Sequence, residues 1–242
     1  MVKIFKKLFT NTLYYPGCLT KGVLKKEFEN YKEIFNKLKI DFILLPDEEV
    51  CCGIPPLSAG YRKETKKLAQ KNFELFKKRK IVKIVTNCPS CYHAFNTLYP
   101  KLVKGWDIEV EHATVTILNA LKKRRIKKEE TEEVTYHDPC HLGRHENIYD
   151  EPREVITRLG GRIIEMKKTR ENAMCCGGGG GVRSNNPRLA KQIAKLRVSQ
   201  TNGKPSKIIT PCGMCFAQIH GADERGTEFS TFVLGKLRGI RK

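Results

Sequence analysis

Residues 81–92, with the sequence IVKIVTNCPSCY, place a β-branched run directly before two cysteines spaced as CxxC. Residues 208–216, with the sequence IITPCGMCF, repeat this arrangement. Each run predicts a short buried strand followed by a loop that carries the cysteines. A single CxxC is a weak signal, because zinc sites, redox motifs and chance all produce it. Two copies in one chain indicate an internal repeat.

The repeat extends to all ten cysteines, because each half of the chain contains a single cysteine, then CCG, then CxxC. In chain order they are Cys18, Cys51, Cys52, Cys88, Cys91, Cys140, Cys175, Cys176, Cys212 and Cys215. Five cysteines repeated in register are a strong signal of two similar units. We therefore predict a first cysteine-rich CCG domain at residues 1–126 and a second at 127–242, joined through the charged stretch 122–133.

Short aliphatic or β-branched runs precede the cysteine positions, and stretches of helical periodicity separate them. The runs lie at 13–15, 42–45, 81–85, 134–136, 163–164 and 208–209, and the helical stretches include 23–38, 65–79, 154–159 and 188–198. This alternation predicts an α/β fold in which each half forms a small, mainly parallel sheet flanked by helices. Loops at the carboxyl ends of parallel strands share one edge of the sheet, so the cysteine loops of each half are expected to converge there.

Adjacent cysteines can reach one ligand only if the chain turns sharply between them, since neighbouring side chains of a strand point to opposite faces. Gly53 and Gly177 follow the cysteine pairs and supply the freedom for such a turn. Gly177 opens a run of five glycines whose N–H groups could point at bound sulfide or at an anion. Gly53, Gly177, Gly178 and Gly179 are therefore candidate cofactor-binding residues, and a merely flexible loop is the alternative.

The cysteine number favours iron–sulfur clusters over zinc. Structural zinc takes four ligands, whereas each half offers five thiols. Clusters accept thiolates from dispersed loops, and four thiolates satisfy an ordinary one. Either one cysteine in each half is spare or the cluster is unusual. Ten cysteines without a signal peptide indicate a reducing compartment, so we expect a cytoplasmic protein, peripheral to a membrane at most through a partner.

Two histidines next to Cys140 are candidate proton donors. His137 and His141 bracket this cysteine, and His145 follows a few residues later. They could donate hydrogen bonds that tune a cluster or deliver protons to a substrate. No role is predicted for the remaining three histidines, His93, His112 and His220.

The formal net charge of +20 favours an anionic partner. A basic zinc protein that binds nucleic acid is the weakest alternative, because the basic residues are spread along the chain and no nucleic-acid motif is visible. No apolar run reaches the ~20 residues of a membrane helix. The basic, amphipathic residues 1–9 could touch a membrane surface or a partner, but a frayed lead-in to the first strand is the preferred interpretation.

Three segments resemble one known family. Residues 136–145 (YHDPCHLGRH), 149–154 (YDEPRE) and 172–180 (NAMCCGGGG), within the doubled cysteine pattern, resemble the cysteine-rich domain of heterodisulfide reductase catalytic subunits and their iron–sulfur oxidoreductase relatives. The resemblance implies two α/β domains related by pseudo-twofold symmetry. It also implies one noncubane [4Fe–4S] cluster in each five-cysteine set, which would explain the fifth thiol, and a disulfide substrate split between the two clusters.

The function that this resemblance implies is that of an iron–sulfur redox subunit of a heterodisulfide reductase-type complex. The chain lacks a ferredoxin-type CxxCxxCxxxC motif, so electrons are expected from a separate ferredoxin-like subunit or a flavoprotein. No flavin or nicotinamide fingerprint is visible, and neither cofactor is expected on this chain. The alternative is an electron-transfer subunit of a flavin-linked dehydrogenase for lactate, glycolate, glycerol-3-phosphate or acyl substrates.

Overall fold

The computed structural model describes residues 10–125 and 131–238. The basic segment 1–9 and part of the charged stretch 122–133 lie outside the described residues. The chain forms two parallel sheets, one in each half, and helices flank both. The predicted α/β class with a repeated cysteine-rich unit is confirmed.

The first half is built around a sheet with the strand order β1-β2-β3. In chain order its elements are β1 (Asn11–Tyr14), α1 (Cys18–Gly22), α2 (Lys25–Lys37), α3 (Ile54–Ser58), α4 (Arg62–Lys78), β2 (Ile81–Thr86), α5 (Pro89–His93), a π-helical turn (Ala94–Leu98), α6 (Tyr99–Leu102), β3 (Glu109–His112) and α7 (Ala113–Lys122). Both pairings are parallel, and Tyr14 lies opposite Val85 in the register.

The second half has the strand order β5-β4-β6-β7, again all parallel. Its elements are β4 (Glu132–Tyr136), α8 (Asp150–Arg158), β5 (Gly161–Ile163), a short 3₁₀ helix (Arg170–Asn172), α9 (Val182–Asn185), α10 (Pro187–Val198), β6 (Lys207–Thr210), α11 (Gly213–His220), β7 (Gly226–Glu228) and α12 (Phe229–Arg238).

The structure departs from the predicted strands in two places. The run 42–45 forms only a single parallel bridge between Ile43 and Leu13, where the second half has the complete strand β5. Strands β3 and β7 were not predicted, because their sequences EVEH and GTE are short and largely polar. Pairing with the central strand of each sheet, rather than local propensity, makes these segments extended.

One of two hydrophobic clusters among the described residues spans both halves. Tyr31 and Phe35 of α2 belong to the same buried cluster as Phe229 and Val233 of α12. The Tyr31 hydroxyl also donates a hydrogen bond to Glu228 Oε1 at 2.9 Å, which links α2 to β7. Because side chains of both halves are buried in this cluster, the cluster fixes the position of one half against the other. Within the described part of the chain, no helix is long and apolar enough to cross a membrane.

Candidate functional site

The cysteines lie where the central strands end. Cys88 and Cys212 follow β2 and β6, and each sits with extended backbone directly before the helix of its CxxC motif. Cys18 and Cys140 follow the neighbouring strands β1 and β4. Since parallel strands release their loops at one edge, this placement brings the cysteine loops of each half together.

Four thiols of the first set are in mutual contact. Hydrogen bonds join the Cys52 thiol to the thiols of Cys51 and Cys91. Another hydrogen bond joins the Cys91 thiol to that of Cys88. Together with burial, the charges of Cys88 and Cys52 raise the pKa of Cys18, which lies at the exposed end of the set. Hydrogen bonds from Cys51 and Cys91 hold the pKa of Cys52 well below its ordinary value.

The second set repeats these contacts. Cys175 is hydrogen-bonded to Cys140 and Cys176, and Cys215 to Cys176 and Cys212. Of the adjacent cysteines Cys175 and Cys176, it is Cys175 whose pKa lies below its ordinary value, because the thiols of Cys140 and Cys176 donate hydrogen bonds to it. The set reaches the surface at Cys175. Each predicted ligand set is therefore one cluster of five thiols.

The glycines that follow the adjacent cysteines adopt the turn their sequence position predicted. Gly53 has φ 95° and Gly177 has φ 80°. Their N–H groups donate to the thiols of Cys51 and Cys175, each at 3.4 Å. Backbone donors of this kind stabilise negatively charged sulfur.

The other two candidate glycines differ from this pair. A Cβ on Gly178 would lie 2.6 Å from Met214 Cγ, so this residue allows the glycine loop to approach α11 closely. Gly179 is exposed and has no atom within 4 Å of a Cβ position. Neither donates a hydrogen bond to a cysteine among the described contacts, and their cofactor role stays a prediction.

His141 lies beside Cys140 of the second set. The charges of Cys175 in that set and of Cys52 in the first set favour protonation of its imidazole. Burial outweighs this and, with the neighbouring His145 and His93, lowers the pKa of His141 to about 4. Its Nδ1 is 3.6 Å from the Cys140 sulfur. A largely neutral imidazole therefore lies beside the second set.

His93 belongs to this histidine group, although the sequence analysis gave it no role. Its ring centroid is 5.0 Å from that of His145 and 5.7 Å from that of His141. Glu146 accepts hydrogen bonds from the side chains of Asn96 and Thr97 and lies 2.5 Å from His93 Nδ1. One carboxylate of the second half thus joins the π-helical turn of the first. The position of His93 two residues after Cys91 was the available signal.

The remaining histidines have structural contacts. His112 accepts the N–H of Thr114 and caps α7. His220 Nδ1 lies 3.0 Å from the carbonyl oxygen of Gly226.

His137, the other candidate proton donor, is buried against the second set. A ring nitrogen lies within 4.8 Å of the sulfurs of Cys176 and Cys215. His137 Nδ1 accepts a hydrogen bond from Arg197 Nε at 2.9 Å, so the proton of the neutral ring is on Nε2. Burial and the charge of Arg197 lower the pKa of His137 to about 3.

Arg197 is the functional candidate that sequence reasoning missed. It is fully buried on α10, a helix identified from the sequence only as amphipathic. Within residues 10–125 and 131–238, neither Arg197 Nη2 nor His137 Nε2 has a hydrogen-bond partner. Unpaired buried donors are costly, and those beside a thiol set are suited to an anionic group.

A buried ion-pair network fixes the loops of the second set. Arg153 donates to both carboxylate oxygens of Asp138, at 2.7 and 2.9 Å, and also to Glu165. Asp138 in turn accepts the backbone N–H of Arg170 at 2.9 Å. The loop before Cys140 is thereby held against the segment that leads to Cys175.

These features fit a thiolate-bound inorganic cluster. Each set supplies five convergent sulfurs and a glycine N–H aimed at one of them. The backbone at Gly17 passes so close to the first set that a Cβ there would lie 3.1 Å from Cys91 Sγ. In the second set, a ring nitrogen of His137 lies within 4.8 Å of the sulfurs of Cys176 and Cys215, and His137 Nε2 and Arg197 Nη2 are buried donors without a partner among the described residues.

Comparison with known proteins gives consistent results. One of the subunits of dihydromethanophenazine:CoB–CoM heterodisulfide reductase from Methanosarcina acetivorans is 35% identical over 224 residues, 88% of this chain and 54% of that protein. EtfAB:quinone oxidoreductase of Syntrophomonas wolfei is 32% identical over 234 residues, 91% of this chain and 32% of that protein. The chain thus spans about half the length of the heterodisulfide reductase subunits it matches, and less of the quinone oxidoreductase.

Among solved structures, glutamate racemase isoform RacE1 from Bacillus anthracis covers 95% of this chain and 80% of its own, with 14% identity and a TM-score of 0.41, too low to identify a shared fold. Residues 12–96 and 134–220 each match the cysteine-rich domain family CCG. The chain therefore belongs to this family and contains its domain twice.

Proposed function

We propose that this protein is an iron–sulfur redox subunit of a heterodisulfide reductase-type complex, in which each five-thiol set holds one cluster. The observation that carries the proposal is the contact between cysteine loops of the two sets: His93, two residues after Cys91, and His141, next to Cys140, have ring centroids 5.7 Å apart. Two redox centres on adjoining loops can act together on a substrate. The ten cysteines would hold the clusters, which supply one-electron chemistry when bound.

The number of thiols supports clusters over zinc. A tetrahedral zinc site uses four ligands and leaves one cysteine of each set without a function. The noncubane [4Fe–4S] type is proposed because the five thiols of the second set are joined in one chain of contacts and four of the first set are, with Cys18 close enough for its pKa to respond to their charges. The glycine N–H groups at Gly53 and Gly177 would stabilise the negative charge on the sulfurs.

The proposed substrate is a small-molecule disulfide. The name of the relatives from Methanosarcina includes heterodisulfide reductase, and the loops of the two sets meet at His93 and His141, where a disulfide could reach both. His141 and His137 are the proposed donors to the substrate. Because both rings are neutral at pH 7, each would donate a hydrogen bond from its ring N–H, in His137 from Nε2, and would not release a proton. The basic surface supports an acidic ferredoxin-like subunit or flavoprotein as the source of electrons.

A second candidate function is supported by the relative named EtfAB:quinone oxidoreductase. In that case the chain passes electrons between a flavoprotein and another acceptor, and the space beside His141 takes no substrate.

The test has two steps. Anaerobic purification followed by iron and acid-labile sulfide analysis and EPR is expected to show two iron–sulfur centres per chain. Zinc without sulfide would overturn the proposal. Viologen-driven reduction of thiol heterodisulfides, with the ferredoxin-type partner present, then separates the candidates. Turnover supports the disulfide reductase, whereas its absence together with co-purification of a flavoprotein supports the electron-transfer subunit.

A further inference from the structure

The two thiol sets have matching neighbours that differ in chemistry. Tyr15 donates its backbone N–H to Val85 at 2.8 Å, and His137 donates its own to Ile209 at 2.9 Å. These bonds join equivalent strands, so Tyr15 and His137 occupy the same position in the two halves. The charges of Cys91 and Cys52 contribute to the raised pKa of Tyr15. Their counterparts in the repeat, Cys215 and Cys176, lie beside His137.

A second matching position lies on the helix that follows each CCG loop. In α4 the buried residues include Thr65, Ala69 and Asn72, and in α10 they are Ala190, Ala194 and Arg197. Both series have the spacing i, i+4, i+7, and each begins at a residue that the CCG glycine approaches, Thr65 for Gly53 and Ala190 for Gly177. Asn72 and Arg197 are therefore counterparts.

At the first set this pair is neutral. Asn72 donates its side-chain amide to the carbonyl of Cys51 at 3.2 Å and to the hydroxyl of Tyr99 at 3.0 Å. The Tyr15 hydroxyl donates to the Val50 carbonyl at 2.7 Å. Burial raises the pKa of Tyr15 well above its ordinary value, so the phenol stays uncharged.

At the second set the pair carries a buried positive charge. Arg197 donates Nε to His137 and Nη1 to the carbonyl of Lys168 and the side chain of Gln200. No carboxylate pairs with it among the described residues. Burial lowers the pKa of Arg197 to about 10, while the charges of Asp138, Cys215 and Cys176 oppose the shift, and the guanidinium remains charged at neutral pH.

We propose that Arg197, acting with His137, gives the centre at the second cysteine set a higher reduction potential than the centre at the first. The inference rests on the proposed function, because it requires a cluster in each set. A fixed cation stabilises the added negative charge of the reduced state, and low surrounding polarity strengthens that effect. A ferredoxin-like donor would first reduce the first centre. One electron would then pass from this reduced centre to the oxidised second centre. No bond or proton changes in that step.

The experiment is a potentiometric EPR titration with dithionite as reductant. The full chain carrying C88S and C91S isolates the second centre, and C212S with C215S isolates the first. We expect the second centre to be favoured by at least about tenfold in the one-electron equilibrium, which is about 59 mV. Equal potentials, or the reverse order, would overturn the inference even with both clusters present.

Arg197 itself is tested in the background that retains the second centre. Arg197→Asn introduces the residue of the first half and is expected to remove most of the tenfold preference, whereas Arg197→Lys keeps the charge and retains it. Arg162→Gln removes an exposed charge from β5 of the same half and serves as the control. Circular dichroism and iron content confirm that each variant is folded and loaded.

The outcomes separate the two proposals. Unchanged potential in a loaded Arg197→Asn chain contradicts the role of Arg197, while the clusters stand. Absence of sulfide and of any EPR signal in the unmodified chain contradicts the proposed function and removes the inference with it.

Discussion

The two cysteine sites share their ligand pattern but differ in what surrounds them. The first site is backed by aromatic residues, among them Phe95, Tyr99 and Trp106, whose rings contact one another. The second is backed by buried charges, with Arg153 paired to Asp138 and Arg197 unpaired by any described carboxylate. The repeat therefore preserves the positions of the sulfurs while each half sets its own electrostatic environment.

The helices that close the two sheets show the same contrast. His112 ends β3 opposite Thr86, and Glu228 ends β7 opposite Thr210. Each side chain accepts the N–H of the residue two positions later. His112 accepts from Thr114, and Glu228 accepts from Ser230. One position thus holds a base in the first half and an acid in the second, both deeply buried.

The largest expected effect comes from removing one central sulfur from either site. Cys52→Ser and Cys176→Ser each delete the thiol that contacts two others of its set. Because no thiol contact joins the two sets among the described residues, each variant is expected to lose one centre and keep the other, so iron and sulfide fall to about half. Metal analysis and EPR measure the result.

Loss of both centres in either variant would contradict the independence of the two sites, since they would then assemble as one unit. Gly235→Ala, at an exposed position of α12 where a Cβ meets no atom within 4 Å, is the control and is expected to retain full iron content.

A smaller effect is expected from the two helix caps, with opposite dependence on pH. Burial raises the pKa of Glu228 to about 7, above its ordinary 4.5, so the unfolded chain releases this proton first as pH rises. Stability is therefore lost between about pH 4.5 and 7, by about 3 kcal/mol in total. Burial lowers the pKa of His112 to about 3. The unfolded chain therefore binds a proton below about pH 6.5 that the folded chain does not bind, and stability is lost as pH falls below this value.

Urea unfolding midpoints measured across this pH range test both signs. Glu228→Gln is expected to remove the loss on raising pH, and His112→Asn the loss on lowering it. Glu64→Gln, at an exposed position of α4, is the control and should leave both slopes unchanged. Slopes of the same sign in the two variants would contradict the contrast between the caps.

The cysteine pattern was sufficient to predict much of the architecture, because sulfur spacing and strand periodicity are local. The helix over 188–198 and the strand over 208–209 appear in the structure as α10 and β6. Arg197 was not predictable, since its burial depends on how α10 packs over the second set. The link from Glu146 to His93 joins residues 53 positions apart and requires the halves to be docked.

The smallest effects concern the CCG turn, which the two halves form alike but pack differently. Both Gly53 and Gly177 have positive φ, so alanine at either position carries the cost of left-handed backbone, about 1 kcal/mol. At Gly53 the new Cβ would lie 3.0 Å from the Thr65 methyl group and no closer than 3.7 Å to backbone, so a displacement of a few tenths of an ångström at one side chain relieves the contact. At Gly177 it would lie 2.9 Å from Ile193 Cβ and 3.0 Å from the carbonyl oxygen of Ala190, which cannot move without shifting α10.

We therefore expect Gly177→Ala to lower the free energy of unfolding by about 2 kcal/mol and Gly53→Ala by about 1 kcal/mol, measured by urea denaturation. Gly179→Ala meets no atom within 4 Å and should change it by less than about 0.5 kcal/mol. Because α10 carries Arg197, a shift of this helix also moves the buried charge. Gly177→Ala should thus perturb the EPR signal of the second centre, whereas Gly53→Ala displaces only the neutral Asn72. An equal effect of both substitutions on stability and on the two signals would show that the helices behind the turns are equally free to adjust.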